Sequence, residues 1–210
     1  MLIRADWPWR WPVALVAAAV IAYVPAANNG FIADDFVILA RVDLLKTSPL
    51  YLFQVAPENF RLTSYVVFGF LKAAFGADHR AFYLFNILLH AVNVLLLRRL
   101  TALLTNDERI AVVSALLFAV FQAPQEAVTW LAAMNETLLG FFVFSTLILW
   151  MRQEYGWALA AYSAALFSKE SAPVVLMMIP LLQAHRGKPA FPRQYWMLLL
   201  PTVVFGTVFF

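Results

Sequence analysis

Cysteine is absent from the 210 residues, which excludes disulfides, thiolate metal sites and a cysteine nucleophile and says nothing about compartment. Charge is scarce as well. Only 13% of residues are Asp, Glu, Lys or Arg, where a water-soluble domain carries about 25%. The net charge of +3 is no nucleic-acid signal, because Lys and Arg are scattered between apolar stretches and form no basic patch. The His residues lack zinc-type spacing, and His79 and His185 stand alone at the ends of apolar runs. Internal repeats, Gly/Ser linkers and low-complexity tracts are missing too, so residues 1–210 read as a single domain.

What the chain has in plenty is apolar sequence, 63% of it. It falls in runs over Val13–Val24, Ala81–Leu97, Ile110–Phe121, Leu138–Met151, Trp157–Phe167, Pro173–Leu182 and Tyr195–Phe210. Crossing a hydrocarbon core takes about 20 residues, so several runs need their Ala, Ser and Thr neighbours to reach across. Arg4 and Arg10, with Trp7, Trp9 and Trp11, precede the first run. That combination suits an interfacial belt on a retained anchor better than a cleaved signal peptide. The last run reaches Phe210 without a polar cap. The expectation is an N-terminal portion of a larger membrane module, inactive by itself.

Positive charge selects the cytoplasmic side. With Arg4 and Arg10 inside, the first helix runs outward to Asn28. If Leu62–Phe75 also crossed, Arg98, Arg99, Arg109, Arg152, Arg186, Lys188 and Arg193 would all lie outside; if it lies on the outer surface, all fall inside. The second arrangement is expected, and Lys72 suits an interfacial helix. Trp157–Leu182 then becomes a hairpin turned at Ser168–Ser171. The expected fold is an all-α, polytopic transmembrane bundle of about seven membrane helices. Its first outer loop, residues 29–80, carries two surface-lying helices near Phe36–Lys46 and Leu62–Phe75. In the first of these, Phe36, Val37, Leu39, Leu44 and Leu45 alternate with Arg41, Asp43 and Lys46 as in an amphipathic helix.

This topology puts Asp34, Asp35, Glu126, Glu136, Lys169 and Glu170 on one side of the membrane, near helix ends. Ionisable groups at such depth are costly and line cavities or pathways. Each also has a plainer reading. Asp34 and Asp35 suit a helix N-cap, and Arg61 suits a snorkelling interfacial cation as well as a phosphate-binding fork. Glu126 and Glu136 could mark an exposed turn, supported by Gln122, Pro124 and Gln125. Lys169 and Glu170 could neutralise each other at a hairpin tip. Asn86, His90 and Asn93, spaced four and three apart, read as interhelical hydrogen bonding in preference to a catalytic histidine.

The stretches NNGFIADDFVIL, NFRLTSYVVFGFLKAAFG, FYLFNILLHAVN, LLFAVFQAPQEAVTW with MNETLL, and LFSKES occur in that order from Asn28 to about Pro180. Together they resemble the polytopic glycosyltransferases of the GT-C class. The likeness is to the dolichyl-phosphate-mannose-dependent protein mannosyltransferases and their bacterial relatives linked to tetratricopeptide repeats. The resemblance implies a catalytic carboxylate at Asp34 or Asp35, donor-phosphate binding by Arg61 and Lys169, and supporting acids at Glu126, Glu136 and Glu170. The chain departs from the family's pattern at Leu62, where proline is usual, at Phe121–Gln122, where His-Pro is common, and at Met134, where Arg is common.

The implied partners are a polyprenyl-phosphate sugar donor, a protein or glycan acceptor and the lipid bilayer, with no nucleic acid. No cofactor is required, although the carboxylates could hold a divalent metal. The implied setting is an inner membrane crossed several times, with the N-terminus cytoplasmic and the active face extracytoplasmic. The rival reading is a non-enzymatic membrane protein, whether transporter, flippase or assembly subunit. A transporter would keep its ionisable groups near the bilayer midplane. A transferase would gather Asp34, Glu126 and Glu136 on one outer cavity beside Arg61.

Overall fold

A computed structural model describes residues 9–54, 60–121 and 124–209. Arg4, Trp7 and Gln122 lie outside the described residues. Every regular element among those described is helical: α1 (Arg10–Tyr23), α2 (Asp34–Thr47), α3 (Leu62–Phe75), α4 (His79–Thr105), α5 (Glu108–Val120), α6 (Gln125–Thr129), α7 (Met134–Met151), α8 (Tyr155–Leu166), α9 (Val174–His185) and α10 (Leu199–Phe209). Short 3-10 segments join them at Val24–Asn28, Pro49–Gln54, Leu131–Ala133 and Arg193–Leu198.

Three segments are long and apolar enough to cross a membrane: Arg10–Asn28, His79–Thr105 and Leu131–Met151. Those lengths mark the chain as a membrane protein. The remaining apolar runs form shorter helices. α5 has 13 residues, a rise of roughly 20 Å, against a hydrocarbon core of about 30 Å. α8, α9 and α10 have 12, 12 and 11. α8 is followed by a turn that runs to Pro173, the residue from which α9 starts, a position where the missing N–H of proline costs nothing.

α4 is the central element, packed against α1, α5 and α7. Asp78 caps it, its carboxylate accepting from Arg80 N at 3.0 Å. Leu84, Leu88 and Val92, spaced as one helix face, are exposed, while Asn86, His90 and Asn93 are buried. A helix in water would do the reverse; apolar side chains outside and polar ones inside suit hydrocarbon surroundings. The buried amides find backbone partners across helix boundaries. Asn86 Nδ2 donates to the Ala127 carbonyl at 2.7 Å, and Asn93 Nδ2 to the Thr137 carbonyl at 2.8 Å. His90 Nε2 lies 3.3 Å from the Ala119 carbonyl. The interhelical reading of this stripe therefore holds.

α2 and α3 form where amphipathic surface helices were expected. They pack on each other, and Leu39, Val42, Tyr65, Phe68 and Leu71 share one apolar cluster with Phe82, Tyr83, Leu131 and Met134. Asp43 bridges Lys72 and Lys46 across the outer edge of the pair. The Lys72 ammonium holds the Asp43 carboxyl below the usual carboxylate range.

Candidate functional site

α2 begins at an unusual bend. Ala33 has φ 42 and ψ −114, a conformation L-residues rarely adopt, and it makes no side-chain cap. The N-cap explanation for the acidic pair is thereby replaced, because Asp34 and Asp35 form the first turn itself, where carboxylates suit the helix dipole. Their environments then diverge. Asp35 is fully buried and accepts two backbone hydrogen bonds, from Ile32 N at 2.9 Å and from Ala132 N at 2.7 Å. Burial raises its pKa, and those two N–H groups partly offset the rise. Asp34 is exposed and faces a cavity.

That cavity, of about 860 Å³, lies among α2, α3, α4, α6, α7 and the turn after α8. Asp34, Arg61, Glu126, Glu136 and Lys169 all line it. Separate segments of the chain thus deliver these residues that the sequence singled out. Glu170 does not line the cavity, but its Oε1 lies 4.0 Å from Arg61 Nη2. Asp35 does not line it either; its part is to tie the start of α2 to the segment before α7.

The charges pair across elements. Lys169 bonds to Glu136 on α7, and Arg61 at the start of α3 pairs with Glu170. The self-neutralising Lys169–Glu170 pair is therefore replaced by two cross-links between the turn and the rest of the site. Asn135, with its amide turned to satisfy both ends, accepts from Arg61 Nη1 at 3.2 Å and donates to the Ala132 carbonyl at 2.9 Å. The turn after α8 is fixed from the same side: Thr63 N donates to the Phe167 carbonyl at 3.2 Å, and the Thr63 hydroxyl donates to Ser168 Oγ at 2.9 Å.

Several lining residues went unrecognised in the sequence. Arg41 shares the cavity face of α2 with Asp34, Val37 and Ile38, and its Nη1 donates to the Tyr65 hydroxyl at 3.2 Å. The spacing Asp34, Val37, Ile38, Arg41 is the signal that could have shown this, since those positions stack on one helix face. Ser64 and Gly140 were missed as well, whereas His90 and Asn93 of the polar stripe on α4 also line the wall, together with Trp130. Gly140 leaves room that a methyl group would fill, as an added Cβ would meet Asn93 Nδ2 at 3.2 Å.

The arrangement offers two carboxylates for which no ion pair is seen among the described residues, Asp34 and Glu126, in a cavity that is also lined by Arg41, Arg61 and Lys169. Among the described residues, no group of three or more His, Asp or Glu side chains is placed to hold a metal ion. The cavity therefore offers cations to an anionic group of a ligand and carboxylates to a proton that it presents. Comparison with protein-family models, with curated proteins and with solved structures gives no match to this chain.

Proposed function

We propose that the chain belongs to a membrane glycosyltransferase that moves a sugar from a polyprenyl-phosphate donor to an acceptor hydroxyl on the extracytoplasmic face. The carrying observation is that Asp34, Arg61, Glu126, Glu136 and Lys169, drawn from separate loops, line one cavity. In this reading α1, α4, α5, α7, α8, α9 and α10 all serve as membrane helices, the shorter ones where the bilayer is locally thinned. The N-terminus is cytoplasmic, the membrane is an inner one, and α2 and α3 lie on the outer surface. The GT-C likeness of the quoted stretches supports the same reading.

Asp34 is the candidate base. It is presented at a fixed helix start, and no ion pair is seen to compete for it. It takes the proton from the acceptor hydroxyl as that oxygen attacks the anomeric carbon. The bond from carbon to phosphate oxygen breaks, its electron pair leaves with the polyprenyl phosphate, and the anomer inverts. The cations of the cavity, Arg61 and Lys169 included, stabilise the growing charge on the leaving phosphate; fixed cations do this well where water is scarce. Asp35 takes no part in proton transfer in this reading, because it is fully buried and does not line the cavity.

The test is transfer in proteoliposomes. Asp34→Asn in the intact protein abolishes sugar transfer while membrane insertion persists. Retained turnover in Asp34→Asn would remove the assignment. The transporter alternative draws on one observation, that His90 and Asn93 carry the cavity into spanning helix α4. Solute flux through sealed vesicles without sugar transfer would favour it.

A further inference from the structure

Three cations line the cavity, and they are not equivalent. Lys169 is bound by Glu136, and Arg61 is shared between Glu170 and Asn135. Arg41 is bonded to the Tyr65 hydroxyl, and no carboxylate partner for it is seen among the described residues. An anion arriving at Lys169 has to displace Glu136, and one arriving at Arg61 has to share it with Glu170. At Arg41 no competing carboxylate is seen among the described residues.

We propose that Arg41 is the primary phosphate-binding residue of the cavity, the guanidinium to which a ligand's tetrahedral phosphate oxyanion docks. This rests on the reading of the cavity as a phosphate-bearing donor site and assigns the anion to a cation that the sequence did not single out. A guanidinium has five N–H donors in a planar fork. The Tyr65 hydroxyl occupies one of them, on Nη1, and fixes the plane of the fork. The remaining donors are enough for bidentate phosphate binding.

Geometry along α2 supports the assignment. Arg41 follows Asp34 by seven residues on the same face, a rise of roughly 10 Å along the axis. That separation discourages a direct ion pair between them. It also leaves the space between them for a ligand whose phosphate lies at Arg41 and whose reacting end lies towards Asp34. Neutralisation points the same way. Once Lys169–Glu136 and Arg61–Glu170 cancel, Arg41 is the cation that balances an incoming negative charge, and Asp34 and Glu126 remain as acids.

The experiment uses the full chain in nanodiscs of neutral phosphatidylcholine, with intrinsic tryptophan fluorescence as readout, since Trp130 lines the cavity. Undecaprenyl phosphate is titrated by mole fraction in one arm and inorganic phosphate in the buffer in the other. Saturation by the lipid alone identifies a membrane-borne ligand, and saturation by both identifies the phosphate group itself; either agrees with the proposal if Arg41 governs it. Arg41→Gln is expected to raise the half-saturation point by about 10-fold or more, the loss of a charge-assisted hydrogen bond. Arg41→Lys recovers part of the affinity, and Lys169→Gln loses less than Arg41→Gln. Thermal unfolding of each variant without probe checks the fold. If Arg41→Gln does not fold, Tyr65→Phe, which frees the fork, is expected to weaken binding by a few fold. Binding that survives Arg41→Gln, or an equal or larger loss in Lys169→Gln, overturns the assignment and leaves the donor reading standing. A wild-type chain that saturates with neither probe overturns both.

Discussion

Asp35 offers a sharp test of how the site is held together. Its carboxylate joins Ile32 N and Ala132 N, and the second bond connects segments 97 residues apart. Asp35→Ala strands both N–H groups, and a buried unsatisfied donor costs about 1–3 kcal/mol. Against this, the mutation removes a buried charge whose raised pKa shows that burial outweighs the hydrogen bonds. The net expectation is a loss of roughly 2–3 kcal/mol, which lowers Tm by about 5–10 °C for a chain of this size. Asp35→Asn keeps one acceptor and turns an NH₂ against the other N–H, so a smaller loss of about 1–2 kcal/mol follows. The sign of the pH dependence is fixed by the raised pKa. The Asp35 contribution is complete below the unfolded value, near 3.9, and diminishes as pH rises through the higher folded value. The deficit of Asp35→Asn therefore narrows on going from acid towards neutral pH. Thermal unfolding in detergent, followed by fluorescence at several pH values, reads all of this. An Asp35→Ala protein as stable as wild type would refute the argument.

Other consequences are simpler to state. Ala33→Gly relieves the positive φ before α2 and is expected to raise stability by up to about 1 kcal/mol in the same unfolding assay. Gly140→Ala pushes a methyl against the Asn93 amide and should cost about 1 kcal/mol or more. Glu108→Gln leaves Arg98 without its ion-pair partner in a largely enclosed position, for a loss of about 2 kcal/mol seen as a lower Tm. The Asp43 carboxyl is held low by Lys72, so its bridge is present above the usual carboxylate pKa and is lost as pH falls through the lower folded value. Proteolysis of the α2–α3 edge should accelerate below about pH 4 and in high salt, and Lys72→Gln should remove that sensitivity.

The apolar runs were legible because hydrophobic length and polar breaks act locally. The helices α1, α4, α5, α7, α8 and α9 fall on the runs that predicted them, and α2 and α3 on the surface segments. The ends were less legible. α4 continues past Leu97 to Thr105 because Arg98 finds Glu108 on α5, a tertiary pairing that a hydropathy pattern does not contain. α5, α8 and α9 have about the length of the apolar runs that predicted them and are not extended to about 20 residues by their Ala, Ser and Thr neighbours, and α10 starts at Leu199 after a 3-10 segment. At the site, Asp34, Arg61, Glu126, Glu136 and Lys169 stood out because each interrupts or ends an apolar stretch. Arg41 did not, since the polar face of an amphipathic helix looks the same in sequence whether it meets bulk water or a charged cavity. The partner exchange between Lys169 and Glu170 was equally hidden, because nearest neighbours in the chain need not be nearest neighbours in space.

The bonds that close the cavity also set a timetable for its assembly. Asp35 waits for Ala132, 97 residues later, and Thr63 waits for Phe167 and Ser168, 104 and 105 residues later. At a synthesis rate of about 5–20 residues per second, that delay is on the order of 5–20 s. During that interval α2 and α3 have emerged without the partners that fix them. The half-made site is then held by the apolar contacts of α2 and α3 with each other and with the residues already made. Slowing translation between the codons for Gly76 and Ser168 is therefore expected to lengthen the period in which the α2–α3 segment is open to proteases.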